Sequence, residues 1–122
     1  MLRAALLALA LSACANAQAP ALDGTSRTMV GENPAPTIAF ADGRASGSTG
    51  CNRWRADTTP QGVGVRIGMT AVTEMACPGP AMDTEARFLS ILQATSVVEV
   101  RGDALVFVGA NAEELARFAP VP

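Results

Sequence analysis

The sequence predicts an α+β domain in which short antiparallel strands flank a single helix. Three observations carry this. Apolar and polar residues alternate over short segments bounded by Gly, Pro, Asn and Asp. After the N-terminal segment only Ala81 to Gln93 shows strong three-to-four apolar spacing. Between the two strand sets, the stretch from Ser46 to Pro80 holds two cysteines, a glycine-dense turn and the only tryptophan.

The chain begins with a positive start, Met1-Leu2-Arg3, and a short apolar run from Ala4 to Ala13. That run is too short for a mature transmembrane helix, which needs about 20 residues. A positive start followed by a short apolar run is the pattern of a secretory signal peptide, here residues 1–13. The run ends in Leu11-Ser12-Ala13-Cys14, which resembles a bacterial lipobox. The resemblance implies cleavage before Cys14 and lipid on its thiol and new amino group. More than one acyl chain makes such anchoring stable. Ala15 after the cysteine, by resemblance to the Gram-negative sorting rule, favours the outer membrane, with the domain facing the periplasm. The competing reading uses Ala15-Asn16-Ala17 as an A-x-A site, with cleavage before Gln18 and a free periplasmic or secreted protein. Residues 14–23, small and polar with Pro20, form a tether.

Three cysteines leave one unmatched. If Cys14 carries lipid, Cys51 and Cys77 remain, and an exported compartment permits a disulfide between them. It would close a loop of about 27 residues and stabilise the domain by about 3–4 kcal/mol on the chain-entropy model. Two separate buried thiols are the alternative.

Leu22 to Val30 is read as a weak first strand, followed by a turn at Gly31-Glu32-Asn33-Pro34. Thr37 to Phe40 is a strand with Ile38 and Phe40 on one face, and Asp42-Gly43 is a hairpin turn into Arg44–Gly47. Asn52 is expected to hydrogen-bond nearby backbone. Asn52 to Asp57 is a strand that points Trp54 inward and Arg53 and Arg55 outward. Thr58 to Gly62, with Pro60, reads as a turn; Val63, Val65 and Ile67 form one face of the next strand, and Val72 to Met75 another short strand. Pro78-Gly79-Pro80 suits a helix start. The helical stripe includes Met82, Ala86 and Leu89, with Glu85, Phe88 and Leu92 also at helical spacing. Asp83 and Glu85 are expected to be solvated partners of the helix dipole. Val97–Arg101, Ala104–Val108 and Glu114–Phe118 complete the strand set, separated by turns at Gly102-Asp103 and Gly109–Ala112.

Composition narrows the chemistry. Histidine is absent, and with it the commonest general base and zinc ligand. Every basic residue is arginine, which stays protonated. A Cys51 nucleophile therefore lacks a histidine base. No enzyme, metal site or cofactor is expected. The net charge of −2 gives no field for nucleic acid, and the Arg53-Trp54-Arg55 alternation reads as a core tryptophan between solvated arginines. Gly47-Ser48-Thr49-Gly50 lacks the following lysine and helix of a phosphate loop.

With these pieces placed, the chain resembles the META domains, the family of the HslJ-like heat-shock lipoproteins. The resemblance rests on Pro36-Thr37-Ile38-Ala39-Phe40, Asp42-Gly43-Arg44 and Gly47-Ser48-Thr49-Gly50-Cys51-Asn52. It continues through Thr73-Glu74-Met75-Ala76-Cys77-Pro78, Met82, Glu85, Phe88-Leu89, Leu92, Gly102–Leu105 and Phe118. It implies a META domain over residues 24–120: a strongly bent antiparallel sheet, approaching an open barrel, packed by one helix. It also implies an envelope protein without established enzymatic activity. Gly50, Cys51, Asn52, Met75, Ala76, Cys77, Pro78 and Glu85 are its motif positions and are read as architectural.

The functional expectation is a lipid-anchored envelope protein that binds or supports an unknown envelope protein or lipid, with a role in stress tolerance. The alternative is a half-barrel that binds a ligand or lipid in its interior. Trp54, Phe40, Phe88 and Phe107 are equally suited to fill that interior.

Overall fold

The computed structural model describes residues 22–121. The signal segment, Cys14, Gln18 and the tether up to residue 21 lie outside the described residues. In chain order the domain runs β1 (Ser26–Met29), β2 (Thr37–Ala41), β3 (Arg44–Ser48), β4 (Arg53–Gln61), β5 (Gly64–Ile67) and β6 (Ala71–Val72). Helix α1 (Gly79–Ala94) follows, then β7 (Thr95–Arg101), β8 (Ala104–Gly109) and β9 (Glu114–Pro120). This is α+β with one helix, as the sequence predicts.

The sheet goes further than the open, bent form expected. Each strand pairs antiparallel with the next, β5 passes its edge to β7, and β9 returns to β1 through Arg27–Pro120, Thr28–Ala119 and Met29–Phe118. All the strands except β6 therefore close into an up-and-down barrel. Closure pairs the outer edges of β1 and β9, which an open sheet would leave free. The seam between β5 and β7 is short, only Gly64–Glu99 and Val65–Val98. A side chain at Gly64 would run into the Val98 carbonyl, so glycine lets the two strands meet.

Several boundaries differ from the sequence reading. Asp42 and Gly43 both take positive φ, 52° and 75°, as the tight hairpin requires. The expected turn at Thr58–Gly62 is instead the end of β4, and the reversal falls at Gly62-Val63. Gln61 faces Gly64 across that two-residue loop, so Pro60, opposite Val65, occupies the alternate position where no ladder N–H is needed. Val63 is consequently exposed rather than on a core face. The helix begins at Gly79, two residues earlier than the apolar spacing indicates.

The interior is filled by side chains. Ile38, Phe40, Ala45, Trp54, Ala56, Leu105, Phe107 and Phe118 alternate inward from the strands. From α1, Phe88 enters this core completely buried. Its ring meets Trp54 edge-on at 5.5 Å and Phe118 at 6.0 Å, and Phe107 stacks on Phe118 at 4.8 Å. Space that an interior ligand would need is taken up by these rings. Leu22, at the end of the expected tether, already belongs to the core.

Candidate functional site

The β3–β4 connection is a tight loop, Thr49–Asn52. The Thr49 N–H donates to the Asn52 carbonyl at 2.8 Å, and the Asn52 N–H donates back to Thr49 Oγ1 at 2.8 Å. Gly50 has a φ of 102°, and a Cβ there would press on Thr84 Cγ2 at 2.9 Å. Glycine is required both for its conformation and for the close approach of α1.

Asn52 is almost completely buried and uses both ends of its amide. Its Oδ1 accepts from the Met75 N–H at 2.6 Å and the Thr73 hydroxyl at 3.0 Å. Its Nδ2 donates to the Met75 carbonyl at 3.0 Å and to Glu85 Oε1 at 2.8 Å. The side chain thus pairs with the Met75 backbone as a neighbouring strand would. That explains why β6 stops at Val72 rather than reaching Met75: the backbone groups needed for a longer ladder are already engaged.

Glu85 overturns its dipole assignment. Because α1 starts at Gly79, neither Asp83 nor Glu85 lies in its first turn. Glu85 is instead only 7% exposed, and its Oε1 accepts from Thr49 Oγ1 at 2.7 Å as well as from Asn52. Asp83 is exposed. The expected stripe holds in part: Phe88 and Leu92 are buried and Leu89 half-buried, while Met82 and Ala86 face solvent and Thr84 and Glu85 join the inward face. A carboxylate held by two donors is satisfied on that oxygen, which lets a polar residue occupy the buried face.

Cys51 and Cys77 are joined by a disulfide, with Cα atoms 5.9 Å apart. The bond pins the β3–β4 loop to the segment entering α1 and leaves neither sulfur as a thiolate. Ala76 and Pro78 flank Cys77; Pro78 is the helix N-cap residue and its carbonyl accepts from the Ala81 N–H at 3.1 Å. All the motif residues named from the sequence therefore converge on one place. Thr49 and Thr73 complete the hydrogen-bond set; both stand in the motif stretches but outside the positions read as architectural. A threonine three residues before Asn52 is the available signal, since such hydroxyls bond locally to backbone in turns.

Outside this cluster lies a groove of about 420 Å³. Asn52 and Glu85 are among its lining residues, and Val72, Met75, Met82 and Leu89 supply its apolar wall. Met75 and Met82 are 58% and 37% exposed. The groove sets an apolar wall beside Glu74 and Glu85, and the disulfide engages both of its sulfurs.

A closed barrel with one inserted helix, clamped by a disulfide and a buried Asn–Glu pair, defines the class. The META domain family model matches residues 12–121, and the chain belongs to that family. In fold it is similar to the NMR structure of a protein from Burkholderia xenovorans, with a TM-score of 0.65 and 22% identity over 82% of this chain and 83% of that one. It is also similar to a second protein structure solved by NMR, with a TM-score of 0.62 and 17% identity over 81% and 91% of the two chains. No curated protein matches.

Proposed function

We propose that this META-domain chain is a non-enzymatic, lipid-anchored protein of the cell envelope, held in the outer membrane through Cys14 and facing the periplasm. It binds an envelope component through the groove beside the motif cluster. The observation that carries the reading is the Cys51–Cys77 bond. A disulfide fits an oxidising, exported compartment. It also accounts for two of the three cysteines and leaves Cys14, directly after the apolar run, as the one free for lipid. The side-chain-filled interior argues for a surface site rather than a ligand inside the barrel. The likeness to HslJ-like lipoproteins extends the role to stress tolerance.

Intact-mass measurement on protein recovered from native membranes tests this. The expected product begins at Cys14 and carries acyl chains. A product that begins at Gln18 without lipid would replace the anchor with a free periplasmic protein. A deletion strain unaltered under heat, detergent and antibiotic challenge would count against the supporting role.

A further inference from the structure

We propose that the groove beside Glu85 binds a small organic cation: an ammonium group carried on an aliphatic or arylalkyl chain. This deepens the reading of the groove as the binding face and rests on it. Glu85 Oε1 is occupied by the Thr49 hydroxyl and the Asn52 amide. Its Oε2 has no hydrogen-bond partner among the described residues, yet it is not sealed from solvent. The side chain is more than nine-tenths buried and lines the groove. No arginine forms an ion pair with it among the described residues; the ion pairs are Arg44–Asp57, Arg87–Glu32, Arg101–Glu99 and Arg117–Glu114. Oε2 is left to water at the groove, and an ammonium N–H is a charge-assisted donor whose contact to it is strengthened by the partly desolvated setting.

The surroundings select the rest of the ligand. The charged residues lining the groove are both acids, Glu74 and Glu85. Together they repel anions. Val72, Met75, Met82 and Leu89 provide an apolar wall, and methionine adapts its shape to varied chains. The space of about 420 Å³ falls within the small-molecule range. Since so little of Glu85 is exposed, only a donor at the end of a slender stem reaches it.

NMR titration of the mature-length chain, carrying Cys14→Ser, tests the proposal with propylammonium, hexylammonium and phenethylammonium. Alcohols and carboxylates of matched chain length serve as controls. The expected result is a set of shifts in the amides of Thr73–Ala76 and along residues 82–89, with affinity rising with chain length and falling with salt. The matched alcohols bind about tenfold more weakly, because they lack the charge-assisted contact. Glu85→Gln lowers ammonium affinity by about tenfold while the Asn52 and Thr49 contacts to Oε1 keep the fold. Met82→Ser, at a solvent-facing position, removes much of the chain-length dependence without touching the cluster. No shifts with any ammonium, equal affinity for ammonium and alcohol, or unchanged affinity in folded Glu85→Gln each overturns the proposal. The assay needs no lipid anchor, so its failure and a failure of anchoring are separate results.

Discussion

Asn52 Nδ2 donates to Glu85 Oε1 at 2.8 Å, across 33 residues of sequence. This bond ties the β3–β4 loop to α1, while the other end of the same amide holds the Met75 backbone. One side chain therefore fixes three segments that the chain visits separately. The disulfide beside it ties two of those segments covalently.

Asn52→Ala removes those contacts and leaves the Met75 backbone and Glu85 short of partners, so it should cost about 3 kcal/mol of stability by urea denaturation. Asn52→Asp keeps the shape but replaces the donor with an acceptor against Glu85. Its destabilisation should be largest at neutral pH and shrink in acid, where protonation removes the repulsion.

Reducing the disulfide, or replacing either cysteine with serine, should cost about 3 kcal/mol on the chain-entropy model. Cys51→Ser, Cys77→Ser and the double variant should unfold at closely similar urea concentrations. A double variant with twice the loss of either single one would show that the sulfurs act separately.

Gly47 sits under the Thr37 carbonyl, into which a Cβ would collide. That same carbonyl accepts from Trp54 Nε1 at 3.0 Å. Gly47→Ala should therefore push β2 from β3 and weaken the indole contact, at a cost of about 2 kcal/mol. Thermal unfolding together with tryptophan emission, shifted toward that of a wetter indole, checks both effects.

Glu32 and Arg87 form a two-pronged contact, at 2.9 and 2.8 Å, between the β1–β2 loop and α1. The hydrogen bonds from Arg87 hold the Glu32 carboxyl below its ordinary range, with burial opposing and the arginine charge reinforcing the shift. A lowered folded-state value means that the contribution is present above the unfolded pKa and is lost as pH falls through the folded one. Wild type and Arg87→Ala should therefore differ near neutral pH and converge in strong acid. Because Arg87 is about half exposed and Glu32 only partly covered, the difference should be small and should shrink further with added salt.

The sequence by itself determined the kinds of element and most of their order. Alternation placed Ile38, Phe40 and Trp54 inside and Arg53 and Arg55 outside, because a strand's two faces differ with a period of two. Local turn chemistry located the hairpin at Asp42-Gly43, because aspartate and glycine tolerate the positive φ that a tight turn needs. The cysteine count and the motif stretches also name most of the cluster. Three things belonged to the tertiary structure alone. Closure of the barrel depends on β9 meeting β1 from the opposite end of the domain, and no local pattern encodes an edge-to-edge register. The length of β4 depends on where Pro60 falls in the ladder across from Val65. The burial of Glu85 was hidden because a charged residue three positions before Phe88 reads as surface. It turns inward only because Thr49 and Asn52, brought from another segment, offer hydrogen bonds that replace water. Periodicity reports which faces a chain can bury; which polar group accompanies them is decided by partners that only folding brings within reach.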